Sequence, residues 1–346
     1  MYVPKQFRRP NPRLKVFSFL VLLVSALSLN GWAQADLDMV HVPIRGPLHP
    51  SIAPGGAPEL GSAEKLVKVN VDLVLVPVTI TDGYNRLVQG LASDNFQVFE
   101  GKSQQQIRYF SQEDAPLSVG LVLDLSGSMK NKIDKAREAV IEFASHANPA
   151  DEFFMVSFAD RPQELCDFTE RVEDIQSKLI FANTKGRTSL LDAIYVAVNK
   201  MRRAKYSRRV LLIISDGGDN HSRYTLSEIK SLVREADISI YGIGLYDRYF
   251  MTSEEMAGPE LLEDLSKETG GTAFTIDNPG DMTYAAHSIS NILRNQYLLG
   301  YQPKGSKADG KWHKIKIKFL LAGRAKKTAA HFSVHAKQGY YSRAAE

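Results

Sequence analysis

The sequence predicts an α/β chain, in which a mainly parallel sheet with helices on both faces is inserted in a small β-sandwich. Three observations predict it. Across residues 118–294 short apolar runs alternate with longer segments of helical period, the pattern of strand–helix units whose sheet is covered on both faces. The loops that follow such strands gather along one edge, where open α/β sheets bind ligands. On either side, residues 66–110 and 312–335 show strand-like runs without helical partners, so they are expected to pair with each other. The division follows: 66–115 and 297–346 as two halves of a β-domain, with 116–296 set between them.

Residues 1–35 read as a secretory signal and are set aside. Lys5, Arg8, Arg9, Arg13 and Lys15 form a basic start, residues 16–29 an apolar stretch, and Ala33-Gln34-Ala35 a small-x-small cleavage pattern, with cleavage expected after Ala35. The apolar stretch is shorter than the roughly 20 residues a membrane-spanning helix needs. No later segment is long and apolar enough to span. The expected location is therefore periplasmic or secreted. Residues 36–65, rich in Pro and Gly, read as an extended linker.

From residue 66 the pattern alternates. Val67, Val69, Val71, Leu73, Leu75 and Pro77 would share one face of a long strand that ends at the Asp82-Gly83 turn. Short strands are predicted at 87–91, 96–100 and 106–110, separated by Gly90, Asp94 and Gly101. The inner domain should place strands at 118–123, 152–158, 163–168, 209–215, 239–245 and 272–276. Helices should fill 132–147, 172–181, 190–203, 226–235, 259–269 and 282–294. Further strands are expected at 296–301, 312–320 and 327–335, before the ending Gly339-Tyr340-Tyr341.

Charge says little about partners. The signal holds five of the 43 basic residues and none of the 39 acidic ones, which leaves the remainder at a net charge of −1. A nearly neutral chain gives no general electrostatic case for nucleic acid. Cys166, the single cysteine, forms no internal disulfide and lies far from the cleavage site, so neither a bridge nor a lipid anchor is expected. It reads as a small buried apolar residue.

The chemistry concentrates at the end of the first inner strand, Leu121-Val-Leu-Asp-Leu-Ser-Gly-Ser-Met129. Asp124, Ser126 and Ser128 place oxygen at every second position of a tight turn, a donor set suited to a hard divalent cation. Gly127 is expected to let the backbone bend so that both hydroxyls face one point. Two other stretches belong with it. Gly186-Arg-Thr-Ser-Leu-Leu-Asp-Ala-Ile194 puts Thr188 at the mouth of a helix, and Val210-Leu-Leu-Ile-Ile-Ser-Asp-Gly-Gly-Asp-Asn220 puts Asp216 beyond a strand.

With these three parts in order, residues 116–296 resemble a von Willebrand factor A domain carrying a metal-ion-dependent adhesion site. That family's pattern is Asp-x-Ser-x-Ser, a distant Thr and a distant Asp, matched by Asp124, Ser126, Ser128, Thr188 and Asp216. The first β-rich flank is similar to that of von Willebrand factor A-related proteins of bacteria such as acidobacteria. The resemblance implies a Rossmann-like domain in which Ser126, Ser128 and sometimes Thr188 touch the metal, with Asp124 and Asp216 acting largely through water. Mg²⁺ or Mn²⁺ suits two carboxylates and three hydroxyls better than Ca²⁺, which takes more oxygen ligands. The implied partner is a protein offering an Asp or Glu carboxylate to the metal's open position.

Each piece also has a plainer reading. Asp-x-Ser-x-Ser and Thr188 could serve as helix caps, and Asp216-Gly217 as an ordinary turn. Asp219 reads as a loop residue, and Asp192 as a helix-start charge rather than a ligand. No Gly-x-Ser-x-Gly, Gly-Lys-Ser/Thr or His-Glu-x-x-His pattern is present, and His221 reads as solvent-facing, so catalysis is not expected. A scaffold subunit of an envelope assembly is the competing reading, and a metal-assisted hydrolase the remaining one. The Lys314, Lys316 and Lys318 row reads as the wet side of a strand, where Lys discourages edge pairing.

Overall fold

In a computed structural model, the chain is described for residues 73–83, 86–112, 114–216, 218–246, 253–304, 309–320 and 332–342. The signal and linker expectations lie outside these residues. Chain order begins with four short strands, β1 (Val74–Thr81), β2 (Phe96–Glu100), β3 (Ser103–Gln105) and β4 (Ile107–Ser111). The inner domain follows as β5 (Ser118–Asp124), α1 (Ile133–Ser145), β6 (Glu152–Phe158), β7 (Pro162–Thr169), α2 (Val172–Leu179) and α3 (Leu190–Met201). It continues with β8 (Arg209–Ser215), α4 (Leu226–Ala236), β9 (Ser239–Leu245), α5 (Ser253–Thr269), β10 (Ala273–Ile276) and α6 (Met282–Arg294). Four strands close the chain: β11 (Tyr297–Tyr301), β12 (Trp312–Phe319), β13 (Ser333–Ala336) and β14 (Gly339–Tyr341).

Every residue of β5 is buried, as its unbroken apolar run requires of a central strand. Six strands lie in the order β10-β9-β8-β5-β6-β7, parallel except for β7, which runs antiparallel at one edge. Helices cover both faces. Ile133, Ala136, Val140 and Phe143 of α1 repeat at helical spacing and pack with Ala285, Ile289 and Leu293 of α6 over one face. Leu191, Ile194 and Val198 of α3, with Ile229 and Val233 of α4, cover the other.

Local chemistry fixes the helix ends. Thr225 and Glu228 form a reciprocal capping box at the start of α4, the Thr225 hydroxyl accepting from Glu228 N at 3.3 Å while Glu228 Oε2 accepts from Thr225 N at 2.7 Å. Helix α5 starts six residues before the expected Pro259, which lies inside it.

The flanking strands pair across the inner domain. One four-stranded sheet has the order β13-β1-β11-β4 and the other β14-β12-β2-β3. Their shared core is Val76, Val78, Ile80, Phe96, Val98, Tyr297, Leu299, Tyr301 and Ile315. In β1 the core face is the even-numbered one, Val76, Val78 and Ile80, while Leu73 and Leu75 of the face predicted from alternation stay 40% and 41% exposed. Both parities of Val-Leu-Val-Pro-Val-Thr-Ile are apolar, so alternation alone could not choose. Residues 87–91 are not a strand. They contribute one bridge, Leu87 to Thr81, and the Tyr297 hydroxyl serves the backbone there, accepting from Leu91 N and donating to Val88 O, both at 3.1 Å.

β12 lies between β14 and β2, but β14 pairs only with Trp312–Lys314, so among the described residues Lys316 and Lys318 have a ladder partner, β2, on one side alone. They line its exposed face, and the Lys318 ammonium sits 4.5 Å from the centre of the Phe99 ring.

The sandwich abuts the N-terminal ends of the parallel strands. Gln296, buried between α6 and β11, reaches Tyr241 of β9 at 3.0 Å and Thr79 of β1 at 3.4 Å. Arg208 donates to Ala115 O at 2.7 Å and to Gln296 Oε1 at 3.1 Å. The opposite strand ends carry Asp124 and Ser215, about 20 Å away at the rise of a seven-residue strand.

Candidate metal centre

At that far edge, Asp124 ends β5 with no exposed surface, and its Oδ1 accepts from Ser126 N at 2.8 Å, closing a tight Asx turn. Its other oxygen accepts from Ser215 Oγ at 2.5 Å, which ties the ends of β5 and β8 together. The turn presents its two serines side by side, with hydroxyls 3.0 Å apart. Ser128 Oγ then donates to Asp216 Oδ1 at 2.8 Å. Asp124, Ser126, Ser128 and Asp216 therefore form one continuous hydrogen-bonded set.

Thr188 arrives by its loop. Lys185 N donates to Leu125 O at 2.8 Å and Gly127 N to Gly186 O at 3.0 Å, laying residues 185–188 against the serine turn. Asn220 holds Thr188 in place, its Oδ1 accepting from Thr188 N at 3.0 Å while its own N donates to Thr188 O at 3.1 Å. Among the described residues, no hydrogen bond joins the Thr188 hydroxyl to Asp124, Ser126 or Ser128.

The left-handed glycine beside the turn is Gly186, not Gly127. Gly127 keeps a negative φ, whereas Gly186 has a φ of +83°, and a Cβ there would lie 2.5 Å from an Asp160 oxygen. The capping readings fall to other residues. Asp219 Oδ1 accepts from Leu191 N at 3.3 Å and Ser222 Oγ from Asp192 N at 3.0 Å, so these two serve the first turn of α3. Asp192 is buried and holds the next loop, accepting from Arg223 N at 2.8 Å and Tyr224 N at 3.2 Å. His221 is exposed, and its backbone N donates to Thr188 O.

One participant had no signal in the motif. The Lys132 ammonium lies 2.5 Å from Asp216 Oδ2, whose side chain is wholly buried. Lys132 stands four residues after Ser128 at the mouth of α1, and its partner is 84 residues further along the chain.

The site's carboxylates crowd one another. Burial, and then the charge of Asp216, push the Asp124 carboxyl up to about 6 against the hydrogen bonds from Ser215 and Ser126. Two carboxylates this close in a poorly solvated turn favour positive charge beside them, and Lys132 supplies one such charge. The all-oxygen donor set is of the kind that a small, hard divalent ion takes.

A family model for the von Willebrand factor type A domain matches residues 119–218. The chain carries a von Willebrand factor type A domain. Its fold is the Rossmann-like α/β arrangement of that family, and the match spans both the serine turn and Asp216. Inter-alpha-trypsin inhibitor heavy chain H4 of Sus scrofa is 28% identical over 211 residues, which is 56% of this chain and 22% of that protein. The chain thus matches about a fifth of the length of that relative. A UPF0353 protein of Mycolicibacterium paratuberculosis is 24% identical over 236 residues, covering 59% of this chain and 68% of its own. Among solved structures, a von Willebrand factor type A protein from Catenulispora acidiphila aligns with a TM-score of 0.47 at 10% identity, covering 81% of this chain and 76% of that one.

Proposed function

We propose that this chain is an exported, metal-dependent protein-binding module. Asp124, Ser126, Ser128, Thr188 and Asp216 hold Mg²⁺ or Mn²⁺, and the cation takes an Asp or Glu carboxylate from a protein partner. The observation that carries this is the hydrogen-bonded run from Asp124 through the two serines to Asp216 at the exposed edge of the sheet. Neutral hydroxyls leave the metal much of its charge, so an anionic ligand is favoured. Ser128 and Gly127 are the exposed members of the turn, which gives a partner's carboxylate its line of approach. Export rests on the basic, apolar and small-x-small pattern of residues 1–35. In this reading the paired flanking strands act as one β-domain that carries the binding module.

The experiment is capture of partners from envelope and secreted fractions in Mg²⁺ and in chelator. The reading expects binding that chelator removes while the chain stays folded, and that Asp- or Glu-containing peptides compete away.

A second reading, a scaffold subunit of an envelope assembly, is favoured by the Lys132–Asp216 ion pair, which already lends the site a cation. There the metal only stabilises the fold, and its removal lowers thermal stability without releasing a partner.

A further inference from the structure

A second group of metal-binding side chains lies on the helical face, apart from the serine turn. Glu142 is on α1 and His146 caps its C-terminal end four residues later, so the two share one side of the helix. His287 projects toward them from α6. Glu142 Oε1 lies 3.3 Å from His146 Nδ1 and 3.3 Å from His287 Nδ1. The imidazole rings meet edge to face, with centres 4.6 Å apart and planes at 83°. One ligand atom from each residue falls within 4.8 Å of the other two.

These distances match a particular geometry. Zinc bonds of about 2.0–2.1 Å to imidazole nitrogen and carboxylate oxygen give a tetrahedron with edges of roughly 3.3–3.4 Å. Two of the three edges have that length, and His146 Nδ1, which also lies 2.9 Å from the Glu142 backbone O, gives up that contact to bind the metal. The third can close by rotation of half-exposed rings, since the His146 and His287 side chains are 46% and 50% exposed. The backbone beneath is held, because Ser290 Oγ of α6 donates to His146 O at 3.0 Å and pins the end of α1.

We infer that Glu142, His146 and His287 form a Zn²⁺ site that clamps the end of α1 to α6, with its fourth position open to water. Two imidazoles and one carboxylate suit a borderline cation such as zinc, whereas Mg²⁺ and Ca²⁺ prefer oxygen throughout. The two centres therefore differ in metal preference as well as position. The clamp bears on the α6 end of the domain, from which the chain passes directly into β11 of the sandwich. The inference does not depend on the reading of the serine turn, as the two share no residue.

The test is Zn²⁺ calorimetry on the full chain, with Co²⁺ absorption as a reporter of tetrahedral coordination. Asp216→Ala is included to weaken the serine-turn site, together with His287→Ala and the His146→Ala/His287→Ala pair. The clamp predicts a Zn²⁺ equivalent, with tetrahedral Co²⁺ bands, that survives Asp216→Ala. Removing both histidines weakens it by at least about tenfold, and His287→Ala alone weakens it measurably. The two histidine side chains are half exposed, so circular dichroism should report folded histidine variants, and the same measurement checks the buried Asp216→Ala change before its Zn²⁺ uptake is read. No Zn²⁺ uptake by the folded parent, or uptake unchanged in the folded double variant, overturns the proposal; the latter would assign the metal to other histidines.

Discussion

The Lys132 ammonium rests 2.5 Å from Asp216 Oδ2 while Ser128 Oγ donates to Oδ1 of the same carboxylate at 2.8 Å. A proposed metal ligand is thus shared between a lysine ammonium and the hydroxyl that would face the metal. Lys132 is partly exposed and Asp216 is not, so the lysine can swing away at less cost than the aspartate.

Replacing Lys132 with Met should have opposite effects with and without metal. The metal-free chain loses stability by about 1–3 kcal/mol, the cost of stranding a buried carboxylate discounted for the lysine's exposure. Mg²⁺ affinity rises by about tenfold, or about 1.4 kcal/mol, because a competing cation is gone. Thermal melts in chelator and in saturating Mg²⁺ check both signs. Unchanged melting in chelator would mean that the ion pair does not support the empty turn.

Gly186→Ala tests the loop that carries Thr188. The φ of +83° and the 2.5 Å approach to Asp160 predict a loss of about 1–3 kcal/mol from strain and crowding. Metal affinity should fall with it, although no ligand is altered, because Gly186 O accepts from Gly127 N. Calorimetry alongside denaturant melts separates the two effects. A destabilised variant with parental metal affinity would show that the serine turn holds its shape without the loop.

His313 of β12 provides a pH test remote from the turn. It lies 3.2 Å from Asp309 and 2.9 Å from Glu100, and hydrogen bonding to Asp309, then to Glu100, raises it above the usual 6.5 despite partial burial. A raised folded value means a stabilising contribution fully present below about pH 6.5 and lost as pH climbs through the folded value. His313→Gln should therefore cost more thermal stability at pH 6 than at pH 9. An equal cost at both would assign the effect to packing against Tyr340.

Much of the architecture is written in apolar periodicity. The buried runs of β5, β8 and β9 and the stripe of α6 are dense enough that local sequence states element, extent and burial together. What remained hidden is nonlocal. Nothing near residues 87–91 announces that the hydroxyl of Tyr297 will satisfy their backbone in place of a neighbouring strand. The parity of β1 depends on which apolar face meets β2 and β12 across the sandwich, and the position of β12 between β2 and β14 on a partner at the chain's end. At the site, Asp-x-Ser-x-Ser is legible because the turn is local. Ser215, Asn220 and Lys132 are not, since each acts on a motif residue contributed by another segment. The meeting of Glu142, His146 and His287 is nonlocal in the same way, as only the packing of α1 on α6 brings His287 to the Glu142–His146 pair.

The most direct test of the central claim is calorimetric titration of Mg²⁺ and Mn²⁺ into the chain lacking residues 1–35, beside Asp124→Ala and Asp216→Ala. Binding by the parent that both folded variants lose is the predicted result. Equal binding by parent and variants, or none by a folded parent even with an acidic peptide present, would contradict a metal-dependent site at the serine turn.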